Sequence, residues 1–235
     1  MTRSPAARRR APIVFSVASA LLGAALVGGG VAAQASAPAV ASHQHAAMAQ
    51  TVTPRTADQV AFHDQMRKLW EDHATWTRLA IVTFADGSSG FAATADRLLQ
   101  NQADIGDAIR PFYGDAAGDR LTSLLRDHIT IAVELLKAAK AGDTAAFADA
   151  RTRWYANGND IADFLAAANP ANWPQDAMRA AMTHHLDQTL AEAAHELGGD
   201  YTASVGDYEA IHEHILAMAD TLSSGLIAAF PSRFH

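Results

Sequence analysis

From residue 56 onward the chain keeps a helical hydrophobic period almost without interruption, and this leaves little choice of fold. Phe62, Met66, Leu69, His73, Trp76, Ala80 and Thr83 recur at the alternating three-and-four spacing that lays one stripe along a helix. Five short breaks divide the remainder of the chain: residues 86–90 (DGSSG), 111–115 (PFYGD), 141–144 (AGDT), 169–174 (NPANWP) and 198–200 (GGD). Gly supplies a C-cap and Asp or Thr the next N-cap at 142–144 and again at 199–200, while each proline removes a backbone donor and restrains its predecessor. Connections this short make consecutive helices antiparallel neighbours. The expected fold is all-α, an antiparallel up-and-down bundle of about six helices over residues 58–231, and at 49% hydrophobic the chain has ample material for a core.

An internal duplication is suggested within this region. Residues 97–107 (RLLQNQADIGD) and 153–163 (RWYANGNDIAD) share Arg, Asn, Asp, Ile and Asp at an offset of 56, and at an offset of 57 Asp127-His128 faces His184-His185 and Gly142-Asp143 faces Gly199-Asp200. The second and third helices therefore read as a hairpin copied into the fourth and fifth.

Residues 1–37 differ in kind. Arg3, Arg8, Arg9 and Arg10 precede an apolar run from Ile13 to Val27, followed by small residues, with Val31-Ala32-Ala33 and Ala35-Ser36-Ala37 as candidate cleavage sites. That is the pattern of a secretory signal peptide, or of an uncleaved anchor, and it places the protein outside the cytoplasm, secreted or at the cell surface. Residues 38–57 are small, polar and aperiodic and read as a flexible tether. The leader holds four of the 18 basic residues and none of the 25 acidic ones, so the remainder carries about −11 with histidine neutral. An acidic surface repels phosphate backbones and argues against a nucleic-acid partner. No segment after the leader is apolar enough to span a membrane.

Chemistry, if any, rests on histidine. Cysteine is absent, so a metal would need His, Asp, Glu, Asn or Met. The stripes of four helices each carry one imidazole: His73 in the first, His128 in the third (Leu121, Leu125, His128, Ala132, Leu135), His185 in the fifth (Met178, Met182, His185, Thr189, Ala193) and His212 in the sixth (Val205, Tyr208, His212, Ile215, Ala219, Leu222). All four fall near mid-helix, so they can share a level. Asn101 with Asp104, and Asn157 with Asp160, share faces of the intervening helices at i, i+3. The expectation is a core metal centre for copper or zinc, or a site for another small ligand, with His73, His128, His185, His212, Asp104 and Asp160 as ligands and Asn101 and Asn157 orienting the rings. The competing expectation is a structural or interaction domain whose buried histidines are satisfied by hydrogen bonds alone.

The tether offers a second candidate in His43, His45 and Met48, imidazoles with a thioether that suit copper, against a plain solvated tail. No phosphate loop, nucleophile elbow or zinc-protease motif is present, so catalysis has little support.

Residues 69–79 (LWEDHATWTRL), 97–114 (RLLQNQADIGDAIRPFYG), 124–129 (LLRDHI) and 211–226 (IHEHILAMADTLSSGL) resemble an uncharacterised family of exported helical proteins from actinobacteria and bacilli. The resemblance extends over the whole bundle region. It implies the same helical fold and core polar positions at His73, Asn101, Asp104, His128, His185 and His212. Members carry names such as glycosyltransferase or acetylglutamate kinase, which the motifs of this chain do not support.

Overall fold

The computed structural model describes residues 55–235, and the leader, together with His43, His45 and Met48 of the tether, lies outside the described residues. Six helices run in order: α1 (Ala57–Ala85), α2 (Phe91–Tyr113), α3 (Asp115–Ala141), α4 (Thr144–Ala168), α5 (Gln175–Gly198) and α6 (Tyr201–Ala229), with a final 3₁₀ turn at Pro231–Arg233. The all-α antiparallel bundle expected from the periodicity is what forms.

Local signals set the ends. Thr56 caps α1 through a reciprocal pair with Gln59, each bond 3.2 Å long, which satisfies two donors the first turn would otherwise leave open. Asp143 and Asp200 accept from Ala146 and Ala203 at the starts of α4 and α6. Gly142 and Gly199 close α3 and α5 with φ of +69° and +81°, a conformation a side chain would strain. Pro111 departs from expectation: α2 runs through it to Tyr113 and stops at Gly114. One missing donor in the last turn is tolerated there, where the helix is about to end.

Each helix packs on its neighbours in sequence, α6 returns to pack on α1, and α1 also meets α5 across the middle. The helices thus form a closed ring. Arg67 on α1 grips Asp220 on α6 with both bonds from one nitrogen, at 2.7 and 2.8 Å, across the closing seam. Inside lies a continuous apolar core that includes Met66, Trp70, Ile105, Leu125, Ile161, Ile215 and Leu226. At the pole where the chain ends, Phe62, Phe112, Phe230 and Phe234 stack with ring centroids 5.1 to 5.8 Å apart.

The stripes on the first, third and fifth helices are buried largely as read. On α6 the inward face is Ser204, Ile211, Ile215, Met218, Ala219 and Leu222, and Val205 is half exposed. The expected stripe is rotated by about one residue over the first half of this helix, and one residue is about 100° of helical turn.

Trp173, from the proline loop, is buried with the N–H edge of its indole toward α6, where it donates to Thr221 O at 3.3 Å. A β-carbon at Gly225 would overlap that indole. Gly225→Ala is therefore expected to lower stability by up to about 2 kcal/mol, since an overpacking cost of as much as roughly 3 kcal/mol is offset by the roughly 1 kcal/mol of helix propensity that Ala gains over Gly. Urea unfolding followed by tryptophan fluorescence measures it, and an unchanged midpoint would show that Trp173 has room to shift.

Candidate functional site

Three of the four predicted imidazoles meet. His73 on α1, His128 on α3 and His185 on α5 are all buried, with the His185 ring 5.7 Å from that of His73 and 6.3 Å from that of His128, centroid to centroid. Odd-numbered helices run parallel to one another around the ring, and each delivers its histidine from mid-length to the same interior level.

The even helices hold two of these rings. On α4, the Asn157 amide donates to Leu124 O at 3.1 Å, which leaves its oxygen to accept from His128 at 2.9 Å. That fixes the proton of neutral His128 on Nδ1 and leaves Nε2 with its lone pair. On α2 the partner is Gln102, whose amide nitrogen donates to Leu98 O at 2.7 Å and lies 3.3 Å from His73 Nδ1. Trp154 stacks on His128 at 5.1 Å and donates to the His128 carbonyl. His185 is different. Its Nδ1 is buried with no hydrogen-bond partner, and Gln102 Oε1 and Trp70 Nε1 nearby in the core share that condition.

Burial decides the charge of the trio. Removal from water pushes the His73 imidazole down to about 3, with His128 adding to the effect and Gln102 opposing it. Burial likewise takes His128 down to about 4 against the bond from Asn157. His185 is held well below the ordinary range by burial and then by His73 and His128. At neutral pH all three are uncharged, the state in which imidazole can serve as a ligand.

The remaining predicted residues do not join them. His212 sits on the outer side of α6, partly exposed, with Nε2 3.2 Å from a Glu71 carboxylate oxygen. The cause is the rotated stripe: with Ile211 and Ile215 inward, position 212 turns away. Asp104 faces the surface of α2, bonded by Arg97 at 3.4 Å and Gln100 at 3.2 Å, and Asp160 is exposed on α4. A carboxylate buried beside neutral histidines would be costly, whereas outside it is hydrated or paired. Asn101 points inward but donates to Leu69 O at 2.9 Å, tying α2 to α1 rather than orienting a ring. Among the described residues no three His, Asp or Glu side chains are spaced closely enough to hold a metal ion as they stand.

A second buried polar group lies further along α5. Glu192 and Glu196 are both buried, and Arg78 from α1 reaches them at 3.0 and 3.1 Å while also bonding Ser204 of α6. Ser204 in turn donates to Glu196 at 2.6 Å. Desolvation pushes the Glu192 carboxyl up to about 7 in spite of Arg78. The sequence held a signal for this group: His185, Thr189, Glu192 and Glu196 continue one three-and-four stripe, in which Glu192 is buried beside Ala193.

No family model matches the chain, and no curated protein or solved structure matches it either.

Proposed function

We propose that this is an exported helical bundle that takes up a transition-metal ion, copper or zinc, at the node of His73, His128 and His185. The observation that carries the reading is the unpartnered His185 Nδ1, buried between two other neutral imidazoles. Desolvation removes the proton as a competitor, because rings at about 3 and about 4 stay unprotonated throughout the neutral range. Asn157 supports one ring as a ligand by holding the proton of His128 on Nδ1. Three nitrogens at about 2.0–2.1 Å from an ion require the rings to turn further toward one another than they stand here, so binding draws α1, α3 and α5 together. His212, Asp104 and Asp160 have no part in this centre. Export is inferred from the leader pattern of residues 1–37, and the acidic remainder makes a cation a fitting partner and nucleic acid a poor one.

The test uses protein in which His43, His45 and Met48 are replaced by Ala, so that the tether contributes nothing. After loading with Zn(II) or Cu(II) and dialysis, elemental analysis is expected to find one ion per chain, lost in His185→Ala. Ion present at 100 times its Kd adds about 2.7 kcal/mol of stability, which thermal melting registers as a higher Tm. A protein that stays ion-free, with unchanged Tm, rules the reading out.

The spacing of the trio favours a second reading, a structural polar node that fixes how the helices pack. Under it His128→Leu with Asn157→Leu keeps or gains stability, because removing both partners of a buried bond is nearly neutral, and no ion is ever found.

A further inference from the structure

A different part of the molecule carries the donor set of a soft metal site. Between α4, α5 and α6 lies an open groove of about 130 Å³ whose lining includes Met178, Met182, Met218 and His214. Of the four methionines in the described residues, only Met66 lies elsewhere. Met178 and Met182 are one turn apart on α5, and His214 and Met218 are one turn apart on α6, so each helix presents a pair on one face. His214 and Ala181 join the two antiparallel helices at 2.9 Å, a register that sets Met182 across from His214 and Met178 across from Met218.

That bond also fixes what His214 can do. Only an N–H can bond the Ala181 carbonyl, so Nε2 carries the proton and Nδ1 of the neutral ring keeps its lone pair. The exposed His184 stands edge-on to His214, with ring centroids 4.7 Å apart. No Asp, Glu, Lys or Arg lines the groove. Three thioethers and one imidazole without a carboxylate make a poor set for Zn(II), Mg(II) or Ca(II) and a good one for a monovalent soft cation.

We propose that the groove of Met178, Met182, Met218 and His214 is a binding site for a soft monovalent cation, Cu(I) in a cell and Ag(I) as its redox-inert stand-in. The proposal does not rest on the histidine node, which lies on the ring's interior and uses other residues. No electron transfer is involved: the ion enters and leaves as the +1 species.

The experiment is a titration with silver nitrate in chloride-free buffer, again with the tether residues His43, His45 and Met48 replaced by Ala, followed by NMR of protein carrying ¹³C-methyl methionine. Saturation at one ion per chain is expected, with the methyl signals of Met178, Met182 and Met218 shifted and that of Met66 unmoved. Met182→Leu with Met218→Leu conserves volume and so keeps the fold, which circular dichroism verifies. Loss of two ligands should weaken binding by no less than the roughly 10–100-fold that loss of an outer partner costs. Methyl signals that do not move, or an affinity for Ag(I) unchanged in the double variant, overturn the proposal. Zn(II) uptake at His185 is read separately, so failure of either site leaves the other standing.

Discussion

Lowering the pH from 7 to 5 is expected to cost the fold about 4 kcal/mol through His73 and His128 alone, by the relation between shifted titration and stability. Both rings titrate in the unfolded chain near 6.5 and in the folded one near 3 and 4. A histidine lowered by folding contributes stability that is fully present above its unfolded value and is lost as pH falls through that value toward the folded one. Each ring therefore gives up about 2 kcal/mol by pH 5, and His185, lowered in the same direction, adds to the loss. Against a total stability of roughly 5–15 kcal/mol this is a large share.

Glu192 works the other way. Its folded value near 7 lies above the 4.5 of the free carboxyl, so its stabilising contribution is present below 4.5 and is lost as pH rises through 7. Between pH 7 and 5 it returns about 2 kcal/mol. Glu192→Gln removes that offset, so the variant should be more acid-sensitive than the parent by about the same amount. Urea unfolding at pH 7, 6 and 5 on both proteins measures the two slopes. A parent whose stability does not fall over this range means that the three imidazoles are hydrated or paired in a way the structure does not have.

The second large effect is at Arg78. Replacing it with Met leaves Glu192 and Glu196 buried without their cation, and removing one partner from a buried charge group costs about 3–5 kcal/mol. The triple variant Arg78→Met, Glu192→Gln, Glu196→Gln removes the charges together and should recover much of the loss, since neutral amides can still bond Ser204 and one another. Chemical unfolding of Arg78→Met, of Glu192→Gln with Glu196→Gln, and of the triple variant closes the cycle and gives the coupling. A loss under about 1 kcal/mol in Arg78→Met would mean that water reaches the carboxylates, as it does in exposed pairs.

Much of the architecture is legible in the chain itself, and the reasons are local. The Gly-Asp handovers at 142–143 and 199–200 specify a left-handed end and a capped start, which no neighbouring helix can override. His73, His128 and His185 are legible as interior because their flanking apolar residues repeat on both sides at helical spacing. His212 is misplaced by the same reasoning because Val205 and Tyr208 look like the start of an inward stripe, while the residue that faces inward there is Ser204. Small polar residues carry no hydrophobic signal, so a face that begins with one is read a position late. The Arg78 group is marked only by the continuation of the His185 and Thr189 stripe to Glu192 and Glu196, because two glutamates and an arginine count as surface until their partners on other helices are known. Asp104 and Asp160 share faces with Asn101 and Asn157 only approximately, and three residues of spacing turn each carboxylate out of the core.

Closure of the ring brings its two ends to one pole, where the backbone N–H of His235 bonds the Asp58 carboxylate at 3.2 Å. Tension applied between the ends would not pull α1 and α6 past each other in shear. It would part them from that pole inward, breaking the phenylalanine stack first and the grip of Arg67 on Asp220 next, one turn at a time. Mechanical resistance is then set by the strongest single turn of the seam rather than by its whole length, so the bundle should unzip under forces well below those that shear helices of similar length.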